Sequence, residues 1–266
     1  TSRSHKGSKD REMIRMGSDE AHIKLNVKKN GLPYRIDMHL KKNKSKGIAV
    51  NGIPIKRAVE LFGILNIVCF SPEDLSIIKN GPAERRRFMD MELSQLDKIY
   101  LSNLINYNKV VNQRNKLLKE LSFKSSEEKL ETLDIWDLQL VKYGTEVMKR
   151  RVGFVQELNE IIGGLHEKLS GGTEKLTIEY QPCVEETAFL DTVTKMRERD
   201  LRMKSTCFGP HKDDLIFFIN GSEVKKYGSQ GQQRTAALSL KLAEIELVKK
   251  VVKDTPVLLL DDVLSE

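Results

Sequence analysis

The spacing of apolar positions changes twice along the chain. In HIKLNVK, Ile23, Leu25 and Val27 alternate with polar residues, and in YRIDMHL so do Ile36, Met38 and Leu40. Period-two alternation predicts strands buried on one face. Asn30-Gly31 and Asn51-Gly52 supply residues that tolerate the positive φ of hairpin turns. The pattern therefore predicts an antiparallel meander from about Ala21 to Ile55.

From Asn80-Gly81-Pro82, a helix-start signal, the period becomes helical. Met89, Leu93, Leu96, Tyr100, Leu104, Tyr107, Val111 and Leu118 form one stripe and predict one long helix. Ser125 and Glu128 fit a capping box for a second helix. Its stripe runs through Leu133, Trp136, Leu140 and Val147, then shifts to Met148, Val152, Val155, Ile162, Leu165 and Leu169. Two amphipathic helices joined by a short polar loop predict an antiparallel hairpin whose stripes are core packing. Gly171-Gly172 ends it. Beyond lie a strand (Leu176 to Tyr180), a charged helical segment (Lys195 to Arg202) and a hairpin, LIFFINGSEVKKY, turning at Asn220-Gly221. A glycine-rich turn then opens a helix over Thr235 to Lys250, and an apolar run, Val257 to Leu260, predicts a buried strand. The order is β-rich (1–80), helical (81–172), then α/β (173–266). It predicts a helical arm inserted into an α/β body.

Composition narrows the class. With 39% hydrophobic and 31% charged residues in 266, the chain is expected to be soluble and globular. No apolar run approaches the roughly 20 residues of a membrane span, and the basic start, TSRSHKGSKD, with no apolar stretch behind it, is not expected to act as a secretory signal. Cys69, Cys183 and Cys207 lie far apart without metal spacing, as in reduced cytosolic proteins. A cytoplasmic location is expected. Residues 1–60 hold 15 Lys and Arg against 6 Asp and Glu, so that region carries the basic surplus of a chain whose net charge is +7. Such a surplus fits a polyanion such as nucleic acid, or equally a solvated lysine-rich surface.

Two motifs carry candidate chemistry. An apolar strand ending in Asp261-Asp262 delivers carboxylates to the edge of a sheet, where α/β folds bind ligands. There one acid can hold Mg²⁺ and its neighbour can position an attacking water; the alternative is a polar strand boundary. Ser229, Gln230, Gly231 and Gln232 stand at a helix N-terminus, whose open N–H groups form an anion site. Gly231 permits close approach of a phosphate, and the Ser229 hydroxyl can donate to it. The alternative is a serine-capped helix.

These residues, YGSQGQQR followed by PVLLLDDVLSE, resemble the signature motif and Walker B of SMC-type ABC ATPases. FSPEDLSIIKNGPAERRRFMD, CFGPHKDDLIFFING and SHKGSKDREMIR are similar to segments of the RecF family of recombination mediators, so the resemblance spans essentially the whole chain. It implies an ABC-type ATPase head with an inserted helical hairpin lobe. It implies that Ser229, Gln230, Gly231 and Gln232 contact ATP on the other subunit of a head-to-head dimer. Asp261 would serve Mg²⁺ and Asp262 would orient the hydrolytic water. Ser265-Glu266 would begin the D-loop. Ser71, Pro72 and Glu73 fall at the Q-loop, without its glutamine. The implied partners are gapped or junction DNA, both duplex and single-stranded, and a RecR-type mediator.

The sequence departs from this pattern in lacking any G-x-x-x-x-G-K-[ST] loop. In the family that loop precedes the segment resembling Thr1–Arg15, and a histidine switch would follow Glu266. The resemblance thus implies an internal stretch that turns over no ATP alone. A non-hydrolysing DNA scaffold and a helical interaction module are the competing readings. For DNA contact, Lys41, Lys42, Lys44 and Lys46 are candidates, as are Arg85, Arg86 and Arg87, and each cluster also fits a solvated face. His211, Asp213 and Asp214 read as a structural element more readily than as a metal site.

Overall fold

The computed structural model describes residues 9–29, 31–123 and 127–261. The chain divides into two compact units, Thr1–Ile67 with Asp254–Val257, and Val68–Lys253 with Leu258–Glu266.

The first unit contains the predicted meander: β1 (Glu20–Lys29), β2 (Leu32–Lys41), β3 (Lys44–Val50) and β4 (Ile53–Ile55), antiparallel and adjacent in chain order. Asn51 and Gly52, with φ of 51° and 82°, turn β3 into β4; Asn30 lies outside the described residues. The predicted one-sided burial is only partly realised. Leu40 and Ile48 are buried, but Ile23 and Leu25 are 47% and 41% exposed. Alternation decides which side chains share a face, and burial needs a second layer. Within this unit the short 3₁₀ turn Asp10–Met13 against β2 supplies little of one.

β5 (Ile67–Phe70), in the second unit from Val68 on, leads through a 3₁₀ turn, Pro72–Asp74, into α1 (Leu75–Lys79). Gly81 caps α2 (Pro82–Leu96) with Pro82 in its first turn, as expected. The single long helix predicted next is two. Asp97 leaves helical geometry (φ −136°, ψ 108°), and its carboxylate accepts from the N–H groups of Ile99 and Tyr100, starting α3 (Lys98–Leu121). The apolar stripe continues across the break, so periodicity does not register it; an aspartate cap creates it.

α4 (Glu127–Leu169), 43 residues long, runs back along α3 and continues past its start to pack on Leu176–Gln181 and Gln230–Val252. Arg114 meets Asp137 and Tyr100 meets Arg151, so the pairing runs in opposite directions and the hairpin is antiparallel. Ser125 of the expected capping box lies outside the described residues. Gly171 and Gly172, both with positive φ, end the hairpin. Then follow β6 (Leu176–Gln181), α5 (Phe189–Lys195), α6 (Arg197–Met203) and β7 (Asp214–Ile219). β7 pairs antiparallel with β6, and Ile178, Leu215 and Phe217 join Phe154, Leu158 and Ile162 of α4 in the main core. After the Asn220-Gly221 turn, β8 (Ser222–Glu223) is only two residues long. The segment read as strand beyond it is a helical turn, α7 (Val224–Tyr227), anchored by fully buried Val224. α8 (Gln230–Val252) begins five residues earlier than the expected Thr235.

The last strand, β9 (Val257–Leu260), joins β5. Val257 N donates to Asn66 O at 2.9 Å and Asp261 N to Phe70 O at 2.9 Å, a constant offset that makes the pairing parallel. The expectation of a buried strand needs correction, because Val257 to Leu260 are 43–61% exposed. Parallel strands need layers on both faces. β5 finds one, since Val68 and Phe70 pack on Ile245 and Val248 of α8, whereas the described residues leave β9 uncovered.

Candidate nucleotide site

The parallel β5–β9 pair brings together two segments about 190 residues apart in sequence. The bond from Asp261 N to Phe70 O sets Asp261 beside the start of the Ser71–Asp74 turn. In that turn Ser71 N donates to Asp74 Oδ2 at 2.8 Å, which closes it, while Pro72 and Glu73 face solvent. Asp262, Ser265 and Glu266 lie outside the described residues.

Behind this edge is a buried charged cluster. Lys241 pairs with Glu244 on α8, and Glu92 of α2 is buried beside them. Burial, with the neighbouring Glu244 charge, pushes the Glu92 carboxyl well above its ordinary range. Burial also raises Asp74. Burial, with the Asp74 charge, raises the Cys69 thiol on β5.

The four signature candidates sit at the start of α8. Ser229 Oγ accepts from Gln232 N at 3.1 Å and Gln232 Oε1 accepts from Ser229 N at 2.8 Å, a reciprocal capping box. Ser229, Gln230 and Gly231 are exposed. Helix geometry leaves the N–H groups of Gln230 and Gly231 without a carbonyl four residues back, so they and the helix dipole face solvent.

Sequence reasoning missed what holds this terminus. Gln232 Nε2 donates to Glu174 Oε1 at 2.8 Å, Glu174 Oε2 lies 3.1 Å from His166 Nε2, and His166 Nδ1 lies 2.9 Å from Ser239 Oγ. Ser239 gives its own proton to Thr235 O, so the imidazole Nδ1–H donates to it. The chain of bonds leaves α8 at Gln232, passes through the end of α4 and returns to α8 at Ser239. Glu174 and Gln232 are 58 residues apart, so no local motif announces the contact.

The proposed basic contacts are altered by their neighbours. Arg85 is buried, its guanidinium bidentate on Asp214 at 2.6 and 2.8 Å, with Nη1 on the Asn80 and Ile77 carbonyls. It is a structural tie, not a surface contact, because its donors are spent internally. Arg86 donates to Asp213 O at 2.7 Å, and Arg87 remains solvent-facing near Glu84. Lys41, Lys42 and Lys46 pair with Glu20, Asp19 and Asp10, and Lys44 is exposed.

His211, Asp213 and Asp214 form no metal site. Tyr107 Oη and His211 Nδ1 are 2.6 Å apart, and Nε2 reaches Thr206 O at 3.0 Å. The carbonyl can only accept, so Nε2 carries the proton and Tyr107 donates to Nδ1. Asp213 accepts from Cys183 N and Tyr180 Oη and lies by Arg151. Burial holds the His211 pKa down to about 4. A lowered folded-state value makes this term fully stabilising above the unfolded pKa of about 6.5 and lost as pH falls toward 4. Urea titrations should show wild type losing about 2 kcal/mol more than His211→Gln between pH 7 and pH 5. Equal losses would show that the imidazole is not held neutral.

No family model matches the chain. It is 70% identical to the DNA replication and repair protein RecF of Lachnospira eligens and 62% identical to that of Agathobacter rectalis. Each match spans 266 residues, all of this chain and 73% of the relative. Two solved structures are similar. The recombination mediator protein RecF-ATPrS in the RecFOR pathway gives a TM-score of 0.90 at 37% identity, over 99% of this chain and 73% of that one. RecF-ATP in the same pathway gives 0.92 at 36% identity, over 99% and 72%. The fold is that of an ABC-type ATPase head carrying an inserted helical hairpin lobe. The chain belongs to the RecF family.

Proposed function

We propose that this chain is the core of an ATP-dependent DNA-binding protein of recombinational repair. ATP closes two heads into a dimer on DNA near gaps, and hydrolysis reopens them. The dimer then engages a RecR-type mediator, which helps load the recombinase. The observation that carries this reading is the backbone bond from Asp261 to Phe70, which unites a Walker-B-like carboxylate with the Ser71–Glu73 turn. In this reading Asp261 would hold Mg²⁺ and Asp262 would orient the attacking water. Ser229, Gln230, Gly231 and Gln232 would meet the γ-phosphate of ATP on the partner head. Mg²⁺ would supply charge neutralisation at the phosphates.

The 266 residues contain no phosphate loop, so activity is proposed for a chain of the relatives' length. The 266-residue chain itself is expected to turn over no ATP, and magnesium-dependent phosphate release by it would contradict the assignment. In the longer chain, Asp261→Asn should abolish hydrolysis and weaken magnesium-dependent nucleotide binding. Parental turnover would overturn the reading.

For DNA, a Glu substitution at each of Lys41, Lys42, Lys44 and Lys46 should lower affinity and flatten its salt dependence, as fewer counterions are released. Because three of these lysines already pair with carboxylates, the slope should fall by less than four. An unchanged slope would assign DNA contact elsewhere.

A further inference from the structure

We propose that Glu20, His22 and His39 form a binding site for a first-row divalent transition ion, Zn²⁺ foremost, on the β1–β2 ribbon. His22 and His39 face each other in the antiparallel register, and their rings stack with centroids 3.9 Å apart at 21°. Glu20 precedes His22 by two positions and so projects from the same face of β1. Its Oε2 lies 3.0 Å from His39 Nε2 and its Oε1 3.9 Å from His22 Nε2. The three donor atoms lie within 4.8 Å of one another.

Ligands at about 2.1 Å from a tetrahedral zinc stand roughly 3.4 Å apart. Closing this triad on an ion therefore takes shifts on the order of 1 Å, within the reach of side-chain torsions on a fixed ladder. His39 faces Gly47 of β3, where a Cβ would find only the His39 Cβ, at 4.0 Å, so that position sets no side chain against the ring. Two imidazoles and one carboxylate suit zinc, nickel, copper or cobalt, whereas magnesium and calcium prefer all-oxygen sets. Lys41 Nζ, 3.5 Å from Glu20 Oε2, is the cation an ion would compete with. A bound ion would pin β1 to β2 where the described residues supply little covering layer.

The other described histidines are excluded, since both ring nitrogens of His166 and of His211 are taken by protein partners. The test is calorimetric titration of the metal-free 266-residue chain with zinc chloride, and its absorption spectrum with Co²⁺. One ion per chain should bind, and His39→Ala and Glu20→Gln should each weaken it by about tenfold or more, at least the loss typical of removing a supporting group. His5→Ala should leave affinity unchanged. Cobalt should show visible d–d bands without the thiolate charge-transfer band that binding at a thiol such as exposed Cys183 would give. No binding, unchanged affinity in both variants, or a thiolate band would each overturn the proposal.

Discussion

Arg114→Met should cost about 3–5 kcal/mol, the range for breaking a buried ion pair from one side. Arg114 is wholly buried on α3. Its Nε donates to Asp137 Oδ1 of α4 at 2.6 Å, and its Nη1 to Asp200 Oδ2 of α6 at 2.6 Å and to Thr206 Oγ1 at 2.9 Å. One guanidinium thus ties α4 and α6 to α3 near the loop end of the hairpin. Asp137 keeps a second cation in Arg197, at 2.6 Å. Once Arg114 is gone, Asp200 keeps the Cys207 N–H, at 2.9 Å. The cost therefore falls chiefly on Asp200, a carboxylate left in a low-dielectric site without its charge partner. Urea unfolding measures it. Asp200→Asn in the same background should recover part of the loss, since a neutral amide is cheaper to bury. A loss under about 1 kcal/mol would mean that the attraction only offsets desolvation.

Ser229→Arg, in a chain of the relatives' length, should abolish ATP-induced dimerisation while each subunit still binds ATP. Ser229 is exposed at the mouth of α8, so a long cation there would occupy the space assigned to the partner's γ-phosphate. The same change also removes a helix cap, which by itself costs about 1 kcal/mol. Gly231→Ala separates these effects. A Cβ at Gly231 would meet only Ser229 Oγ, at 3.8 Å, so the fold accommodates it. Stability should hold or rise, because alanine is the better helix former. Dimerisation should nevertheless weaken if a phosphate must approach that backbone. Light scattering with and without ATP, beside a melting curve, reads both variants. Dimers that persist in Ser229→Arg would remove the trans-acting role of this helix terminus.

Some elements were legible because their causes are local. Asn51-Gly52 and Asn220-Gly221 turn where two consecutive positive φ values are needed. Gly81-Pro82 starts α2, and the three- and four-residue spacing of apolar positions marks the hairpin helices. The Asp97 break was hidden because a cap interrupts the backbone without interrupting the stripe. The candidate site was legible only in pieces. The motifs around Ser229 and Asp261 stand out in the sequence, yet the sequence does not say that Asp261 lies beside Ser71. That follows from the parallel ladder of β5 and β9, which is a long-range pairing.

Side-chain partnership was the least legible level. Arg85, Arg86 and Arg87 look alike in sequence, but the first is consumed by Asp214, 129 residues away, and the last faces solvent. The Glu174–His166 link beneath α8 and the His22–His39 stack arise the same way, from residues made neighbours by packing or by strand register. The sequence by itself determined the period of each element, its turns and the types of chemistry available. Tertiary structure decided which charges are neutralised, which apolar strand is covered and which motifs share an edge. The reason is physical: periodicity and turn preference depend on a residue and its chain neighbours, whereas desolvation and pairing depend on whatever the fold sets opposite.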